Sequence, residues 1–391
     1  MALTFYFGWH RRFENRVLVG GLFAFLYALG TLLPAHVMAM QLGFWSYGDN
    51  ALMFLGMPTD IWFAGALLFG PAIFFALPNL NPWVLTLGCI VLQALTLPSL
   101  APFVIAGPYW FVGVLLVFAL VHIPALFLAR WTAREVCLPE RAALLAFGFG
   151  MIAYFVLPSI IMKAMGGHWP FATVSYACIA ITMLALAPCV VMGLTAVQMF
   201  ALHGEGTPIP LDKTKHLVRS GLYGYICNPM QCATALSWIV LGLFLQNIFV
   251  ILAAAMAVIF VLGMVRWHHR IDLCVRFPEG WPEYREHVPE WFPRWKPWVK
   301  HPSTLHYNPN RGFQARFVKW VSKQNLTGLT IDSRSQSLRY TDGNRGKSFT
   351  GFAAIACSLF HIHFITALVG SMLLLVALPM QWAFCRGKVT A

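Results

Sequence analysis

The stretch from His203 to Gln231 carries the chain's densest set of residues suited to chemistry: HGEGTPIPLD over 203–212, then HLVRSGLYGYICNPMQ over 216–231. Gly204, Gly206, Pro208 and Pro210 directly follow an apolar run and predict a non-helical loop with exposed backbone N–H groups. Gly221, Tyr223 and Tyr225 come next, and Asn228-Pro229 has the form of an N-cap with proline in the first helical turn. Backbone donors, two aromatic faces and an amide gathered at one end of a helix suit a polar ligand with a flat ring. The same residues also make a plain loop and cap, and spacing alone does not separate the two readings.

Histidines are the other candidates. His268, His269, His361 and His363 are residue types for metal or haem. Neighbours on a helix point about 100° apart, so His268 and His269 do not converge on one metal, and a surface or interfacial role is the simpler reading. His122 lies inside an apolar run, where an ionisable group is costly. One hydrogen bond to a neighbouring helix is its plain explanation. The nine cysteines are scattered and contain no CxxC pair, so neither a disulfide framework nor a metal site is expected.

Two separated patterns add to this. Gly204, Gly206, Thr207, Pro208, Pro210, Leu217, Val218, Gly221, Tyr223, Tyr225, Asn228, Pro229 and Met230 fit G-x-GTP-x-P followed by LV-x-x-GPY-R-Y-x-R-(H/N)-P-M. After the next helical hairpin, Leu273, Phe277, Tyr284, Val288, Pro289, Trp291, Pro293 and Arg294 keep the spacing of a second motif. In these features residues 173–298 resemble the isoprenylcysteine carboxyl methyltransferase and phospholipid methyltransferase family of membrane enzymes, in its bacterial branch. The resemblance implies S-adenosylmethionine held between the motifs at the cytoplasmic face, with a lipid or other hydrophobic acceptor entering from the bilayer. It assigns the cofactor to Gly204, Gly206, Thr207, Pro208, Leu217, Val218, Tyr223, Tyr225, Asn228, Pro229, Met230 and Tyr284.

The departures fall on the reactive positions. Two family arginines are Gly224 and Cys227 here, and a family Glu-Glu pair is His269-Arg270. Asp272 is the nearest acid, so His269, Arg270 and Asp272 are the candidate catalytic positions. A fixed arginine disfavours a nearby sulfonium. Two roles therefore stay open: a methyltransferase, or a catalytically degenerate relative serving as a structural or accessory subunit of a membrane complex. A haem or quinone subunit rests on the histidines alone. Further along, RYTDG over 339–343 and GFAAI over 351–355 resemble the end of DCC-type thiol-disulfide oxidoreductase domains. Those domains work through a cysteine pair. No cysteine lies between Cys274 and Cys357, which implies such a domain without its redox function.

The elements that must position these residues read as membrane helices. Of 391 residues, 59% are hydrophobic and 10% charged, against about 25% charged in soluble domains. Eight apolar runs, near 17–33, 61–77, 83–100, 109–128, 142–162, 173–199, 232–246 and 248–265, approach the ~20 residues that cross a bilayer. Pro34, Pro78, Pro82, Pro102 and Pro108 are read as run ends. The last two runs look short and meet at Gln246-Asn247 as a tight hairpin.

Numbering loops alternately puts Arg11, Arg12, Arg16, Arg130, Arg134, Arg141, Lys213, Lys215, Arg219 and the basic residues from Arg266 to Lys347 on one side, and Lys163 on the other. By the positive-inside rule that side is cytoplasmic. The expected location is the plasma (inner) membrane, with membrane lipids and other membrane subunits as partners. The first run, ended by Pro34 without a cleavage signature, reads as an uncleaved helix. The net charge of +13 sits at the ends of apolar runs, which disfavours nucleic acid.

The expected fold class is therefore an all-α polytopic membrane protein with a small α/β cytoplasmic C-terminal domain and a final interfacial or membrane helix. Its divisions are 1–165 (N-terminal helices), 166–298 (methyltransferase-like core) and 299–391 (tail domain with a terminal apolar helix). Leu326 to Tyr340 has strand character. The apolar run 352–384 is a doubtful ninth span, because crossing would strand Arg386 and Lys388 on the opposite side.

Overall fold

The computed structural model describes residues 13–48, 52–171 and 173–387, with side chains as far as 378. Arg11, Arg12 and Lys388, which the charge pattern uses, lie outside them. The chain separates into two compact units. One holds the described residues up to Gly166 together with Ile209–Asp212; the other holds Gly167–Pro208 and the described residues from Lys213 onward.

In the first unit, α1 (Asn15–Gln41) is the hub, and α2 (Thr59–Ala76), α4 (Trp110–Ala133) and α5 (Leu138–Met165) pack around it. Between them come α3 (Pro82–Leu100) and four short strands: β1 (Trp45–Tyr47), β2 (Met53–Phe54), β3 (Met57–Pro58) and β4 (Val104–Ala106). Phe23, Ala24, Tyr27, Ala28, Leu32 and Leu33 form the buried face of α1. A Cβ on Gly20 would stand 2.5 Å from the Ala129 carbonyl, so glycine here allows α1 and α4 to touch backbone to backbone. Pro34 does not end the first helix, as the sequence led us to expect. It sits inside α1, which continues to Gln41 because Ala35 and Ala39 still bury against the core. Asp212 joins this unit by pairing with Arg16 (2.8 Å) and the buried Arg141 (3.5 Å).

The second unit opens with α6 (Tyr176–Gly204), followed by the hairpin α7 (Pro229–Phe244) and α8 (Ile248–Arg276) and by the short α9 (Gly280–His287). Asn247 caps α8, its carboxamide oxygen accepting from the N–H groups of Phe249 (3.0 Å) and Val250 (3.2 Å). The hairpin is less even than its two short runs predict. At 16 residues α7 spans only about 24 Å, whereas α8 runs past 265 to Arg276. The extension is polar and carries ion pairs: Arg266 pairs with Glu290 and Arg276 with Asp272, while Arg270 is exposed.

The tail forms a four-stranded sheet ordered β6-β5-β7-β8, from β5 (Ser303–His306), β6 (Leu329–Asp332), β7 (Arg339–Thr341) and β8 (Ser348–Thr350). β5 and β6 are parallel and linked through α10 (Gly312–Ser322); the other pairings are antiparallel, with Leu305 opposite Tyr340 and Tyr340 opposite Phe349. The run 352–384 is not one helix. It divides at Phe360–His363 into α11 (Gly351–Leu359), almost wholly buried, and α12 (Phe364–Gly387). One core runs from Met192, Ala196 and Met199 on α6 through Tyr223 and Tyr225 to Leu305, Val321 and Phe349 in the sheet.

Among the described residues, seven helices are long and apolar enough to cross a membrane: α1 to α6 and α8. The sequence counted eight, and α7 is the one that falls short. Leu95 on α3 and Leu184 on α6 are each 74% exposed, and Leu252 and Ile259 of α8 are also exposed. Apolar surface on this scale is compatible with a multi-pass protein in lipid.

Candidate functional site

The loop after α6 folds on itself. Glu205 takes a left-handed conformation, and the N–H groups of Lys215 (2.7 Å) and His216 (3.2 Å) donate to the Gly204 carbonyl. A Cβ on Gly206 would lie 2.6 Å from the Lys213 carbonyl oxygen, and one on Gly204 2.6 Å from the Thr214 side chain. These glycines therefore serve close approach of the chain to itself, rather than the open row of donors read from the sequence. Thr207 is buried within the same loop.

Gly221, with φ of +65°, turns the chain into a single 3-10 turn over Gly221–Gly224, and the second motif closes against it. The Tyr284 hydroxyl donates to the Tyr223 carbonyl (2.8 Å), Cys227 N–H to the Pro289 carbonyl (2.8 Å), Arg294 N–H to Tyr225 (3.0 Å) and Trp298 N–H to Gly224 (2.8 Å). Leu217 packs with Cys227, Trp281, Tyr284 and Val288, while Val218 and Met230 join the larger core. The structure thus brings together Leu217, Val218, Tyr223, Tyr225, Met230 and Tyr284. Burial pushes the phenols of Tyr223, Tyr225 and Tyr284 up, and lifts the Cys227 thiol to about 11. None of them is a base or nucleophile at neutral pH.

Two polar groups at this junction lack partners among the described residues. Asn228 stands at the N-cap of α7, with Pro229 in its first turn, yet its side chain makes no capping bond. The residue is 3% exposed and its Nδ2 is buried without a hydrogen bond, as is the hydroxyl of Tyr223. α6 passes beside them: Gly193 faces Ala233 and the Phe200 ring meets Tyr223 at 5.3 Å. Elsewhere on α6, Thr195 Oγ1 and Gln198 Oε1 are also buried and without a partner among the described residues. Neither was read from sequence, since both lie in an unbroken apolar run. Buried polar groups are nearly always satisfied, so these atoms stand out in the packing of this unit.

The three candidate catalytic positions have different surroundings. His269 lies against the Trp281 ring at 4.4 Å. Arg270 is exposed. Asp272 is buried and accepts from Lys213 (2.5 Å) and Arg276 (2.5 and 2.8 Å), with His268 at 3.5 Å. Its charge is used up inside the protein. The acid that does meet the second motif is Glu290, held between Arg266 and Arg285 (2.7 Å each), whose hydrogen bonds and charge keep its carboxyl below the usual range. The sequence places Glu290 between Pro289 and Trp291, but its partners come from α8 and α9.

The remaining histidines have local neighbours. His122 packs against the rings of Phe69 and Phe118, and His363 stacks on Trp295 at 4.7 Å. His361 accepts from or donates to Tyr340 (2.8 Å) and meets the Thr327 carbonyl (2.8 Å). Among the described residues no three His, Cys, Asp or Glu side chains group as a metal site. No protein-family model, curated protein or solved structure matches the chain.

Proposed function

We propose that the chain is an integral membrane methyltransferase of the isoprenylcysteine carboxyl and phospholipid methyltransferase type, acting on a lipid or other hydrophobic acceptor. The reading places it in the inner membrane, with the N-terminus and tail domain cytoplasmic. The observation that carries it is the buried, unpartnered pair of Tyr223 hydroxyl and Asn228 amide, where two motifs far apart in sequence fold together. A bound S-adenosylmethionine would supply an electrophilic methyl on a sulfonium. Tyr223 Oη and Asn228 Nδ2 would satisfy its polar groups. With the leaving group built into the cofactor, the protein's part is alignment and exclusion of water rather than acid–base work. The exposed apolar surfaces of α6 and α8 give a hydrophobic acceptor a route from the bilayer.

A second reading has its own observation. Gly224, where the family has arginine, lies under the backbone of Trp298, and Asp272 is neutralised by Lys213 and Arg276. Both favour a relative that keeps the scaffold and serves as an accessory subunit. Incubating the purified protein with methyl-labelled S-adenosylmethionine and membrane lipid extract decides between them. The enzymatic reading expects label in the lipid fraction, lost with Asn228→Ala. Cofactor binding without transfer selects the accessory role, and neither binding nor transfer removes the methyltransferase reading.

A further inference from the structure

A polar cleft of about 350 Å³ adjoins the two-motif junction and shares Leu217 with it, but neither Tyr223 nor Asn228 lines it. Its walls come from His216 and Arg219, from Phe277 to Gly280, and from Asn344 and Arg345 of the tail. Two of these walls begin where apolar helices stop. His216 is tied by its N–H to Gly204 at the end of α6, and Phe277 follows α8 directly. Arg276 links them, donating to the Thr214 carbonyl at 2.5 Å.

The lining has a definite chemistry. Arg219 holds its guanidinium 6.0 Å from the Trp298 ring, with Nε buried and unpartnered. Arg345 spends one Nη on Glu205 (2.7 Å), leaving other donors of its fork unassigned. Glu205 is also shared with Lys347 (3.7 Å) and His216 (4.0 Å). Glu279, exposed at the rim, is the acid among the lining residues. Asn344 donates to Ser220 (3.0 Å) and leaves Oδ1 buried with no donor. Two guanidiniums match a phosphoryl group, for which arginine's planar fork is suited. The idle Asn344 oxygen asks for a hydroxyl beside that group.

We infer that this cleft binds a phosphoryl group carrying a hydroxylated substituent, as in a glycerol phosphate. Arg219 and Arg345 grip the phosphate, and Asn344 accepts from the hydroxyl. The ligand is either the headgroup of a lipid, whose chains would lie along the exposed helices, or a soluble phosphorylated polyol. The site needs no cofactor and does not depend on methyl transfer.

Calorimetric titration of the full-length protein in detergent tests it with two probes, glycerol 3-phosphate and dihexanoyl phosphatidylglycerol. Saturable binding of the first assigns a soluble ligand, and of the second alone a lipid headgroup; both outcomes support the site. Arg345→Gln is expected to weaken binding at least tenfold, Arg345→Lys less, and Arg334→Gln, far out on the tail surface, not at all. Arg219→Gln gives a second reading, and if that variant fails to fold the Arg345 series decides alone. Binding of neither probe, or equal binding by wild type and Arg345→Gln, overturns the inference.

Discussion

Gly224 and Asn228 stand four positions apart in the same turn, and they bear opposite loads. A Cβ on Gly224 would meet the Trp298 carbonyl oxygen at 3.1 Å and Pro297 Cβ at 3.3 Å. Placing an arginine there with Gly224→Arg is therefore expected to destabilise, by about 1–3 kcal/mol for an overpacked site. Thermal unfolding in detergent reads the effect; an unchanged melting temperature would mean the Trp298 backbone yields freely. Much at this scale was legible. The Tyr284 hydroxyl meets the Tyr223 carbonyl, so the two motifs touch, while Tyr225 turns to the Phe360 carbonyl and the Phe364 ring. What was not legible is pairing. Lys213 and Arg276 quench Asp272 only because the loop after α6 folds back over the end of α8, and no spacing rule states that.

Elements show where pattern reading holds and where it slips. Apolar length located α1 to α6, but proline misled at Pro34, since a helix in a tightly packed bundle tolerates it. Hydropathy ended α8 too early because ion pairs, not lipid, stabilise its last turns. The strand character of 326–340 was real, whereas the break at Phe360–His363 carries no proline or glycine to announce it. That break holds a buried network: His361 Nδ1–H donates to the Thr327 carbonyl, and the Tyr340 hydroxyl sits between His361 Nε2 (2.8 Å) and the Ser303 hydroxyl (2.9 Å).

Burial lowers the pKa of His361 from its ordinary 6.5. The unfolded chain then binds a proton that the folded tail refuses, so stability falls as pH drops below 6.5 and stops falling once the folded value is reached. Within that window the slope is about 1.4 kcal/mol per pH unit for such a group. His216, also lowered by burial, adds in the same direction; Asp332, held down near 2 by Arg334, does not change there. Melting curves from pH 7.5 to 5.5 should therefore shift downward, and His361→Gln should flatten the shift while lowering stability at pH 7.5. A pH-independent melting temperature in the wild-type protein would contradict the buried neutral imidazole.

At the level of the whole molecule, each unit has a distinct character. The first is a helical bundle built around α1, with its charged residues drawn into pairs such as Arg16 and Arg141 with Asp212. The second carries both motifs, the sheet and a single core that joins them. Composition announced the long apolar helices, and hydrogen bonds join the two motif stretches within the second unit. The unsatisfied polar groups of Tyr223 and Asn228 needed the fold, because burial and partners are not written in the spacing.

That pair is the centre of the functional proposal, and calorimetric titration of S-adenosylmethionine into the detergent-purified protein and its Asn228→Ala variant tests it most directly. Saturable binding by the wild type is expected. Losing the amide should weaken binding about tenfold, the value of one good hydrogen bond. The melting temperature of the ligand-free variant should not fall, because no bond to the Asn228 amide nitrogen is lost. Absence of binding by the wild-type protein at millimolar cofactor, or equal affinity in the two proteins, would contradict it.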